Sequence, residues 1–376
     1  MDEQALRKEI IGNVRRAVVK VGSSLLVSLG TGLNKEFISR LGGELAGLKK
    51  RGIEVIMVSS GAIAAGMERL GLTQRPKAIA ELQAAAAIGQ SRLMHVYEEA
   101  FIPWGLTVAQ VLLTRDDLRD RKRYLNARNT LLQLLDLGII PIINENDSVV
   151  VEEIKFGDND LLAALVTSLV DADLLLILTD APGLCSGDPR HGGELISLVN
   201  RVTKEVEAMA QGSQTEVGTG GMTSKVGAAK LVARCGVSTV VAGCADSQAL
   251  ARIFAGEAHG TLFLPGGSRL KGRKQWIGLT LRPKGRLTLD SGAHEAIIKG
   301  GKSLLPSGIT AVEGNFGRGD AVSCLDPRKK EFARGLVNYD AHELKQIMRK
   351  QSSQIERILG YKYTDEVIHR DNLVIL

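Results

Sequence analysis

The sequence contains few aromatic residues, few cysteines and few prolines. Phe, Trp and Tyr make up 4% of the 376 residues, and the four cysteines lie far apart without a C-x-x-C pair. This spacing argues against a zinc ribbon and a disulfide scaffold, and it is typical of a protein from a reducing compartment. Because only nine prolines accompany the 42 glycines, the glycine excess predicts tight turns and close backbone approaches rather than a low-complexity linker.

The sequence also lacks a long uninterrupted hydrophobic run. The most apolar stretch, residues 161–178, contains Asp171 and Asp173, and one charge near the centre of a spanning helix costs ~2.5–3.5 kcal/mol. We therefore expect no membrane segment. The first ten residues, MDEQALRKEI, are charged throughout, so we expect no secretory signal and a cytoplasmic location.

The net charge of +6 is unevenly distributed along the chain. Residues 1–267 hold 28 Lys+Arg against 30 Asp+Glu, whereas residues 268–376 hold 20 against 12. The basic residues that follow one another without an intervening acid are Arg269, Lys271, Arg273, Lys274, Arg282, Lys284 and Arg286. This asymmetry indicates either a module that binds nucleic acid or another anion, or a solvated basic linker.

Chain length and apolar pattern predict two domains. Five short apolar runs in the first part of the chain are continuous rather than alternating, as expected for strands buried on both faces of a parallel sheet. They are residues 17–21, 53–59, 139–144, 174–179 and 237–242. Segments with helical spacing lie between them at 34–50, 79–101 and 116–137. This alternation predicts a three-layer α/β/α domain with an open, mainly parallel sheet, which would bind ligands at the carboxyl ends of its strands.

The pattern changes after Leu264, where a Pro-Gly-Gly-Ser segment and the basic stretch precede short strands and a last helix. We predict strands at 286–289, 309–313 and 321–324 and a helix at 341–359, which together make a small mixed β domain. The predicted boundaries are 1–267 for the first domain, 268–280 for a basic linker, 281–360 for the second domain and 361–376 for a terminal tail.

Small or polar residues follow four of the five apolar runs. They are Gly22-Ser23-Ser24, Ser59-Ser60-Gly61, Asn144-Glu145-Asn146-Asp147 and Thr179-Asp180. Because the carboxyl ends of parallel strands meet at one edge of a sheet, we expect these residues to face one common site.

The strongest candidate for anion binding is the glycine-rich segment GTGGMTSK, residues 218–225, which precedes a helical run. Such a loop presents backbone N–H groups to phosphate oxygens, and Lys225 adds a full positive charge. The segment is not a P-loop, because G-x-x-x-x-G-K-[ST] is absent. Lys20 lies inside the apolar run VVKVGSS, where burial favours contact with an anion; the alternative is an edge-strand lysine that reaches solvent.

Three further segments indicate a polar substrate. SSGAIAAG turns from a strand end into a helix whose N-terminus suits a carboxylate, although a serine N-cap with tight helix packing explains it equally well. The NEND segment at 144–147 and the GDND segment at 157–160 carry amide and carboxylate groups. Such groups hold an ammonium, orient a lysine or ligate Mg²⁺, and the alternative is turn and N-cap chemistry, above all at Asp160.

The six histidines lie outside all of these clusters, and no Ser/His/Asp order or histidine metal spacing is present. Acyl transfer and zinc hydrolysis are therefore disfavoured. Phosphorylation of a hydroxyl needs a base, whereas a carboxylate with a pKa of ~4.3 is already ionised at neutral pH. Two lysines, glycine-rich turns and carboxylates without a base thus suit phosphoryl transfer to an acid, through positioning and charge neutralisation.

The segments VVKVGSS, SSGAIAAG, NEND, KFGDND, LLLILTD and GTGGMTSK, in this order and spacing, resemble the motifs of the glutamate 5-kinases, a family of the amino-acid kinase superfamily. The resemblance runs through essentially the whole chain and includes residues 89–93 and 125–128. The segment 289–322 resembles a PUA domain, which is an RNA-associated β module. The resemblance therefore implies an amino-acid kinase fold followed by a PUA-like domain.

Residue by residue, the resemblance implies that Lys20 and Lys225 neutralise the transferring phosphoryl group and that Asp160 holds both lysines. The implied glutamate-binding residues are Ser60, Asn144, Asp147, Asp158 and Asn159. The implied ATP-binding residues are Lys20, Thr179, Asp180, Thr219, Gly220, Gly221, Met222, Thr223, Ser224 and Lys225. No residue is assigned to a metal.

The resemblance also implies an activity and partners. The reaction would be ATP-dependent phosphorylation of the γ-carboxylate of L-glutamate, with Mg²⁺ required, as the first step of proline biosynthesis. Proline would inhibit by feedback, the enzyme would form a homo-oligomer, and glutamate-5-semialdehyde dehydrogenase is a candidate partner because the acyl phosphate product is labile.

Two other interpretations remain open. The first is a kinase of the same fold that acts on acetylglutamate, aspartate or carbamate. The second is an RNA-binding or RNA-modifying protein, which the basic last third favours. The sequence offers neither an aspartate-centred glycosidase-like site nor an aromatic stacking platform in support, so only RNA binding as a secondary activity of the C-terminal domain stays open.

Overall fold

The computed structural model describes residues 2–28, 32–149, 159–187, 192–211, 221–244, 248–266 and 281–376, except for the side chains of residues 121 and 122. The chain divides into two compact units, Met1–Arg269 and Leu270–Leu376. The basic stretch at 269–274, part of the predicted linker, lies outside the described residues. No described helix combines the length and the apolar character needed to cross a membrane.

Eight strands among the described residues of the first unit form one sheet in the order β5-β6-β4-β1-β7-β9-β10-β8. The sheet is parallel except where β10 runs antiparallel to β9. Its strands are β1 Arg16–Val21, β4 Glu54–Ser59, β5 Val108–Leu113, β6 Ile140–Glu145, β7 Leu174–Thr179, β8 Leu198–Val199, β9 Ser238–Gly243 and β10 Thr261–Phe263. A small hairpin pairs β2 Val27–Ser28 with β3 Gly32–Leu33.

The helices of the first unit cover both faces of this sheet. They are α1 Glu3–Gly12, α2 Ser23–Leu26, α3 Lys35–Lys50, α4 Ala62–Arg69, α5 Ile79–Phe101, α6 Arg115–Arg119, α7 Arg121–Asp136, α8 Asn159–Leu169, α9 Lys204–Gln211, α10 Met222–Ala233 and α11 Ala249–Phe254. Ala17, Val19 and Val21 of β1 share one hydrophobic core with α3 and α5, and α8 and α10 pack together against the sheet.

The predicted architecture of the first unit is confirmed, with two local corrections. The predicted helix at 116–137 is two helices, because Asp120 adopts an extended conformation and its side chain accepts a hydrogen bond from the backbone N–H of Arg123. The sequence pattern also missed β5, because most of its residues are only partly buried and Gln110 interrupts its apolar character. The five predicted runs match β1, β4, β6, β7 and β9 to within one residue at each end.

The second unit is a mixed β domain, as predicted. Its described sheet has the order β12-β11-β13-β14-β15, in which β11 and β13 are parallel and the other neighbours antiparallel. The strands are β11 Gly285–Leu289, β12 Ile309–Gly314, β13 Ala321–Leu325, β14 Glu331–Leu336 and β15 Leu373–Ile375. The helices are α12 Ser291–Gly300, α13 Ala341–Ile347 and α14 Ile355–Leu359.

Two predictions for the end of the chain are wrong. The single helix predicted at 341–359 ends at Ile347, because Met348 is extended and Arg349 has a left-handed φ of 64°. The segment 361–376, predicted as a tail, belongs to the second unit: β15 pairs with β14, and Val367 and Ile368 are fully buried in its core. Apolar side chains at the end of the chain bury surface there, which a solvated tail would not do.

Candidate active site

The candidate site lies at the carboxyl ends of the parallel strands β1, β4, β6 and β7. Lys20 is the penultimate residue of β1, Ser59 ends β4, and Thr179 ends β7. Asn144 is the penultimate residue of β6. The structure thus brings the polar strand ends to one edge of the sheet, as the sequence predicted.

At the centre of the site, two lysines contact the same carboxylate. The Lys20 Nζ lies 2.7 Å from Asp160 Oδ1, and the Lys225 Nζ lies 3.3 Å from Asp160 Oδ2. All three residues are buried: Lys20 and Lys225 are each 5% exposed and Asp160 is 1% exposed. We call these residues the lysine–aspartate triad.

Simple geometry explains why the triad forms. Side chains alternate along a strand, so Lys20 points away from the core that Ala17, Val19 and Val21 share with α3 and α5. Asp160 is the second residue of α8, and Lys225 is the fourth residue of α10. Because α8 and α10 pack against each other, their first turns present the two side chains to the end of β1.

The charges of the triad depend on one another. Burial by itself raises the pKa of Asp160, but the Lys20 and Lys225 ammonium groups and hydrogen bonds from Lys20 and Ser224 outweigh burial, and the pKa is lowered below its usual value. Burial lowers the pKa of Lys225, and the Asp160 carboxylate opposes that shift. Two ammonium groups and one carboxylate leave this buried triad with an excess positive charge, which suits a phosphate ligand.

Ser224 completes the surroundings of Asp160. Its Oγ donates to Asp160 Oδ2 at 2.5 Å and lies 2.9 Å from the carbonyl oxygen of Gly221. N-capping by Asp160 was the alternative explanation from sequence. The Asp160 carboxylate instead contacts two lysines and a serine from other parts of the chain, so its described contacts are tertiary.

Beside the triad lies a cluster of buried amide groups. Asn159 Nδ2 lies within hydrogen-bond distance of Ser60 Oγ (2.9 Å), of Asn144 Oδ1 (3.0 Å) and of the Ser59 carbonyl oxygen (3.0 Å). Asn144 Nδ2 donates to Gln90 Oε1 at 2.8 Å. We call Ser60, Gln90, Asn144 and Asn159 the amide cluster. Its oxygen and nitrogen atoms supply the kind of polar contacts that bind a carboxylate or an ammonium.

Asp147 lies two residues after the end of β6 and is half-buried. Burial raises the pKa of its carboxyl to about 6, and the positive charge of Arg75 acts in the opposite direction. The Asp147 carboxyl therefore changes its charge within the range where the protein can be assayed, unlike a solvent-exposed aspartate.

Some of the remaining predicted site residues lie within the described residues, and others lie outside them. Thr179 Oγ1 donates to Asp180 Oδ1 at 3.0 Å, and Asp180 is exposed. Gly221 precedes the first turn of α10, in which Met222 is buried and Thr223 is exposed. The predicted residues Asp158, Thr219 and Gly220 lie outside the described residues.

Gln90 was not among the predicted site residues. It lies in the alanine-rich helix α5 and is 8% exposed. A glutamine at a core position of such a helix was the available signal, because a buried amide needs hydrogen-bond partners that an apolar helix face does not offer. Among the described residues, no group of three or more His, Cys, Asp or Glu side chains forms a metal site.

The fold and the site together define a class. A mainly parallel α/β/α sheet with a buried lysine–aspartate triad at its carboxyl edge is followed by a separate mixed β unit. The amino acid kinase family model matches residues 15–243, and the PUA domain model matches residues 285–359. The chain therefore belongs to the amino acid kinase family.

Curated relatives narrow this class. Glutamate 5-kinases from Geobacter sp. (strain M21) and Geobacter sulfurreducens are each 53% identical over 99% of this chain and 100% of the relative. One from Nitrosospira multiformis is 53% identical over 98% of this chain. Among solved structures, a carbamate kinase from Giardia lamblia bound to AMP-PNP is 15% identical, with a TM-score of 0.49 over 67% of this chain and 99% of that one. Because the first two relatives match over their full length at 53% identity, the chain belongs to the glutamate 5-kinases and is a kinase.

The triad allows a direct test of its electrostatics. Asp160→Asn should destabilise the unliganded protein by about 3–5 kcal/mol, because it leaves two buried ammonium groups without their shared counter-charge. The thermal midpoint should fall accordingly, and saturating pyrophosphate, an anion, should restore more of it in the variant than in the parent. The control is Asp116→Asn, which removes the partner of Arg119 at a carboxylate whose side chain is 81% exposed, and which should change stability by less than about 1 kcal/mol. Equal midpoints for Asp160→Asn and the parent would contradict the shared-charge interpretation.

Proposed function

We propose that this kinase transfers the γ-phosphoryl group of ATP to the γ-carboxylate of L-glutamate, giving L-glutamyl 5-phosphate and ADP. The observation that carries the proposal is the convergence of Lys20 and Lys225 on the buried Asp160 carboxylate, beside the amide cluster. The name shared by the full-length relatives supports glutamate as the acceptor.

The chemistry needs no general base. A γ-carboxylate oxygen of glutamate attacks the γ-phosphorus of ATP, the bond from that phosphorus to the β,γ-bridging oxygen breaks, and ADP leaves with the electron pair. No proton moves, because the attacking carboxylate is ionised at neutral pH. Catalysis then depends on alignment of the two substrates and on stabilisation of negative charge at the phosphoryl group.

Each member of the triad has a role in this proposal. The Lys20 and Lys225 ammonium groups stabilise the negative charge that develops on the transferring group and on the leaving oxygen. Asp160 acts as a positioning residue, because its two carboxylate oxygens hold one ammonium each. Fixed charges in a buried site stabilise a transition state without reorganisation at the moment of reaction.

For glutamate, we propose binding by the amide cluster and the neighbouring acids. Ser60, Asn144 and Asn159 contact one another and offer donors and acceptors to the substrate carboxylates. Asp147 is proposed to pair with the α-ammonium group, and Asp158 is assigned to the same substrate by the family resemblance.

For ATP, we propose binding by Thr179, Asp180 and residues 219–225 at the start of α10. Burial lowers the pKa of Lys225, and the negative charge of Asp180 is among the charges that oppose this lowering. The exposed Asp180 carboxylate, together with the phosphate oxygens of ATP, would suit Mg²⁺. In nucleotide sites Mg²⁺ keeps several waters and binds one or two protein carboxylates. When bound, Mg²⁺ would neutralise charge on the ATP phosphates.

The family assignment extends the proposal to regulation and cellular context. We propose that the reaction is the first step of proline biosynthesis, in the cytoplasm, and that proline inhibits by competing at the glutamate site. We further propose a homo-oligomer, with glutamate-5-semialdehyde dehydrogenase as the partner that receives the labile product.

The proposal is tested by trapping the product with hydroxylamine, which converts an acyl phosphate to a hydroxamate. The assay compares glutamate with acetylglutamate, aspartate and carbamate, with ADP release measured in parallel. We expect glutamate to give the highest kcat/KM, with hydroxamate equimolar to ADP. Preference for another acid, or ADP release without hydroxamate, would overturn the proposed substrate or reaction.

The raised pKa of Asp147 predicts a pH dependence of glutamate binding. Because the ionised carboxylate is the form proposed to pair with ammonium, kcat/KM for glutamate should fall about tenfold per pH unit below about 6. Asp147→Asn should have a higher KM for glutamate and should lose this dependence, while any decline due to ATP ionisation should remain in both proteins. A parallel decline in parent and variant would remove Asp147 from the ammonium site.

A second candidate function, RNA binding by the second unit, gains support from one feature that the sequence did not predict. The rings of Tyr361 and Tyr363 lie 4.9 Å apart, and the Arg318 guanidinium lies 3.6 Å from the Tyr363 ring centroid. The two tyrosines are 38% and 52% exposed. Exposed aromatic rings and guanidinium planes are surfaces on which unpaired bases stack.

This candidate is tested with the full-length protein and labelled transfer RNA. We expect binding that weakens as salt rises and that falls at least tenfold in a Tyr361→Ala, Tyr363→Ala double variant, while glutamate kinase activity is unchanged. If the parent does not bind the RNA, the RNA interpretation is wrong. If the double variant binds as tightly as the parent, the two tyrosines are not the binding surface.

A further inference from the structure

Gln90 makes one hydrogen bond in the amide cluster and carries one unused polar group. Its Oε1 accepts a hydrogen bond from Asn144 Nδ2 at 2.8 Å. Its Nε2 is buried and has no hydrogen-bond partner among the described residues. Because a buried polar group without a partner costs stability, this glutamine is not explained by packing of the apolar helix α5.

The Gln90 carbonyl accepts the hydrogen bond of the Asn144 NH₂ group and so helps to fix the orientation of the Asn144 amide. With its Nδ2 directed at Gln90, Asn144 directs Oδ1 at the backbone N–H of Glu145 (2.9 Å) and at Asn159 Nδ2 (3.0 Å). A rotation of the Asn144 amide by 180° would place its NH₂ group against the Asn159 NH₂ group and against the Glu145 N–H. That arrangement loses two hydrogen bonds and opposes donors to donors.

The orientation passes from Asn144 to the residues proposed to contact glutamate. Asn159 Nδ2 lies within hydrogen-bond distance of Ser60 Oγ, of Asn144 Oδ1 and of the Ser59 carbonyl oxygen. Loss of the Asn144 acceptor would leave Asn159 free to turn away from Ser60. Asn144 on β6, Asn159 on α8 and Ser60 in the turn between β4 and α4 are thus connected, through Asn144, to one carbonyl group of α5.

The adjacent glycine ties α5 to the same region. A Cβ atom at Gly89 would lie 1.8 Å from the carbonyl oxygen of Ala62 and 2.3 Å from the backbone nitrogen of Gly66. Only a residue without a side chain permits this approach of α5 to α4. Because Ala62 begins α4 two residues after Ser60, the backbone that carries Gln90 is held against the turn that carries Ser60.

We propose that Gln90 is a positioning residue for the acceptor substrate: through Asn144, it holds Asn159 and Ser60 in the orientation that binds glutamate. The inference rests on the proposed function and adds a residue to it. Gln90 does not touch the reacting atoms. It should therefore affect glutamate binding more than ATP binding or the phosphoryl-transfer step.

Two substitutions separate this role from packing. Gln90→Leu removes the acceptor and leaves Asn144 Nδ2 buried without a partner. It should raise the glutamate KM about tenfold or more, with the ATP KM and kcat within about twofold of the parent. Gln90→Glu keeps an oxygen acceptor for Asn144 Nδ2 and replaces the unpartnered NH₂ group with a carboxyl oxygen; because burial favours the neutral form of this carboxyl, its glutamate KM should stay closer to the parent value than that of Gln90→Leu. Gln133→Leu, the same substitution at an exposed position of α7, is the control and should leave all constants unchanged.

The readout is the glutamate and ATP dependence of hydroxamate formation, together with the thermal midpoint of each protein. An unchanged glutamate KM in Gln90→Leu would overturn the inference. The inference would also be overturned if Gln90→Leu and Gln90→Glu showed the same decrease in kcat, the same increase in both KM values and lowered thermal midpoints. Such a result would indicate a packing role alone. If the parent itself forms no hydroxamate from glutamate, the proposed function fails instead, and the two failures are distinguishable.

Discussion

The structure of the site depends on a shared counter-charge. Two ammonium groups that are buried near one another repel. Without an anion beside it, each would lose its proton or extend to solvent. Asp160 supplies that anion to both, with one carboxylate oxygen for Lys20 and the other for Lys225. The three charged groups come from β1, α8 and α10, one from each, and removal of Asp160 would leave both ammonium groups without a counter-charge.

Helix α8 connects the two halves of the site. Its first residue, Asn159, belongs to the amide cluster, and its second, Asp160, belongs to the triad. Consecutive helical residues point about 100° apart, so one turn of backbone presents an amide to the acceptor side and a carboxylate to the lysines. In the proposed reaction, the rigid geometry of this helix, rather than a loop, would set the distance between the acceptor and the transferring group.

The sequence predicted the parts of this arrangement that follow from local pattern. Continuous apolar runs identified the buried strands, and the lysine inside one of them predicted an anion nearby. The contact of Lys20 with Asp160 was accessible only through family motifs, because it joins residues 140 positions apart. Gln90 and the exposed pair Tyr361 and Tyr363 were missed, since a single polar residue in an apolar helix and two tyrosines near the chain end give no periodic signal. The break at Arg349 was missed because a left-handed φ at a residue other than glycine has no marker in the sequence.

The most direct measurement of the central claim is the steady-state kinetics of Lys225→Ala beside Lys230→Ala, a partly exposed lysine on the same helix that pairs with Glu207. If the triad stabilises charge in the transition state, Lys225→Ala lowers kcat by about 10²–10³-fold, while its glutamate KM changes little and Lys230→Ala behaves as the parent. An unchanged kcat in Lys225→Ala, or an equal loss in both variants, would contradict the account.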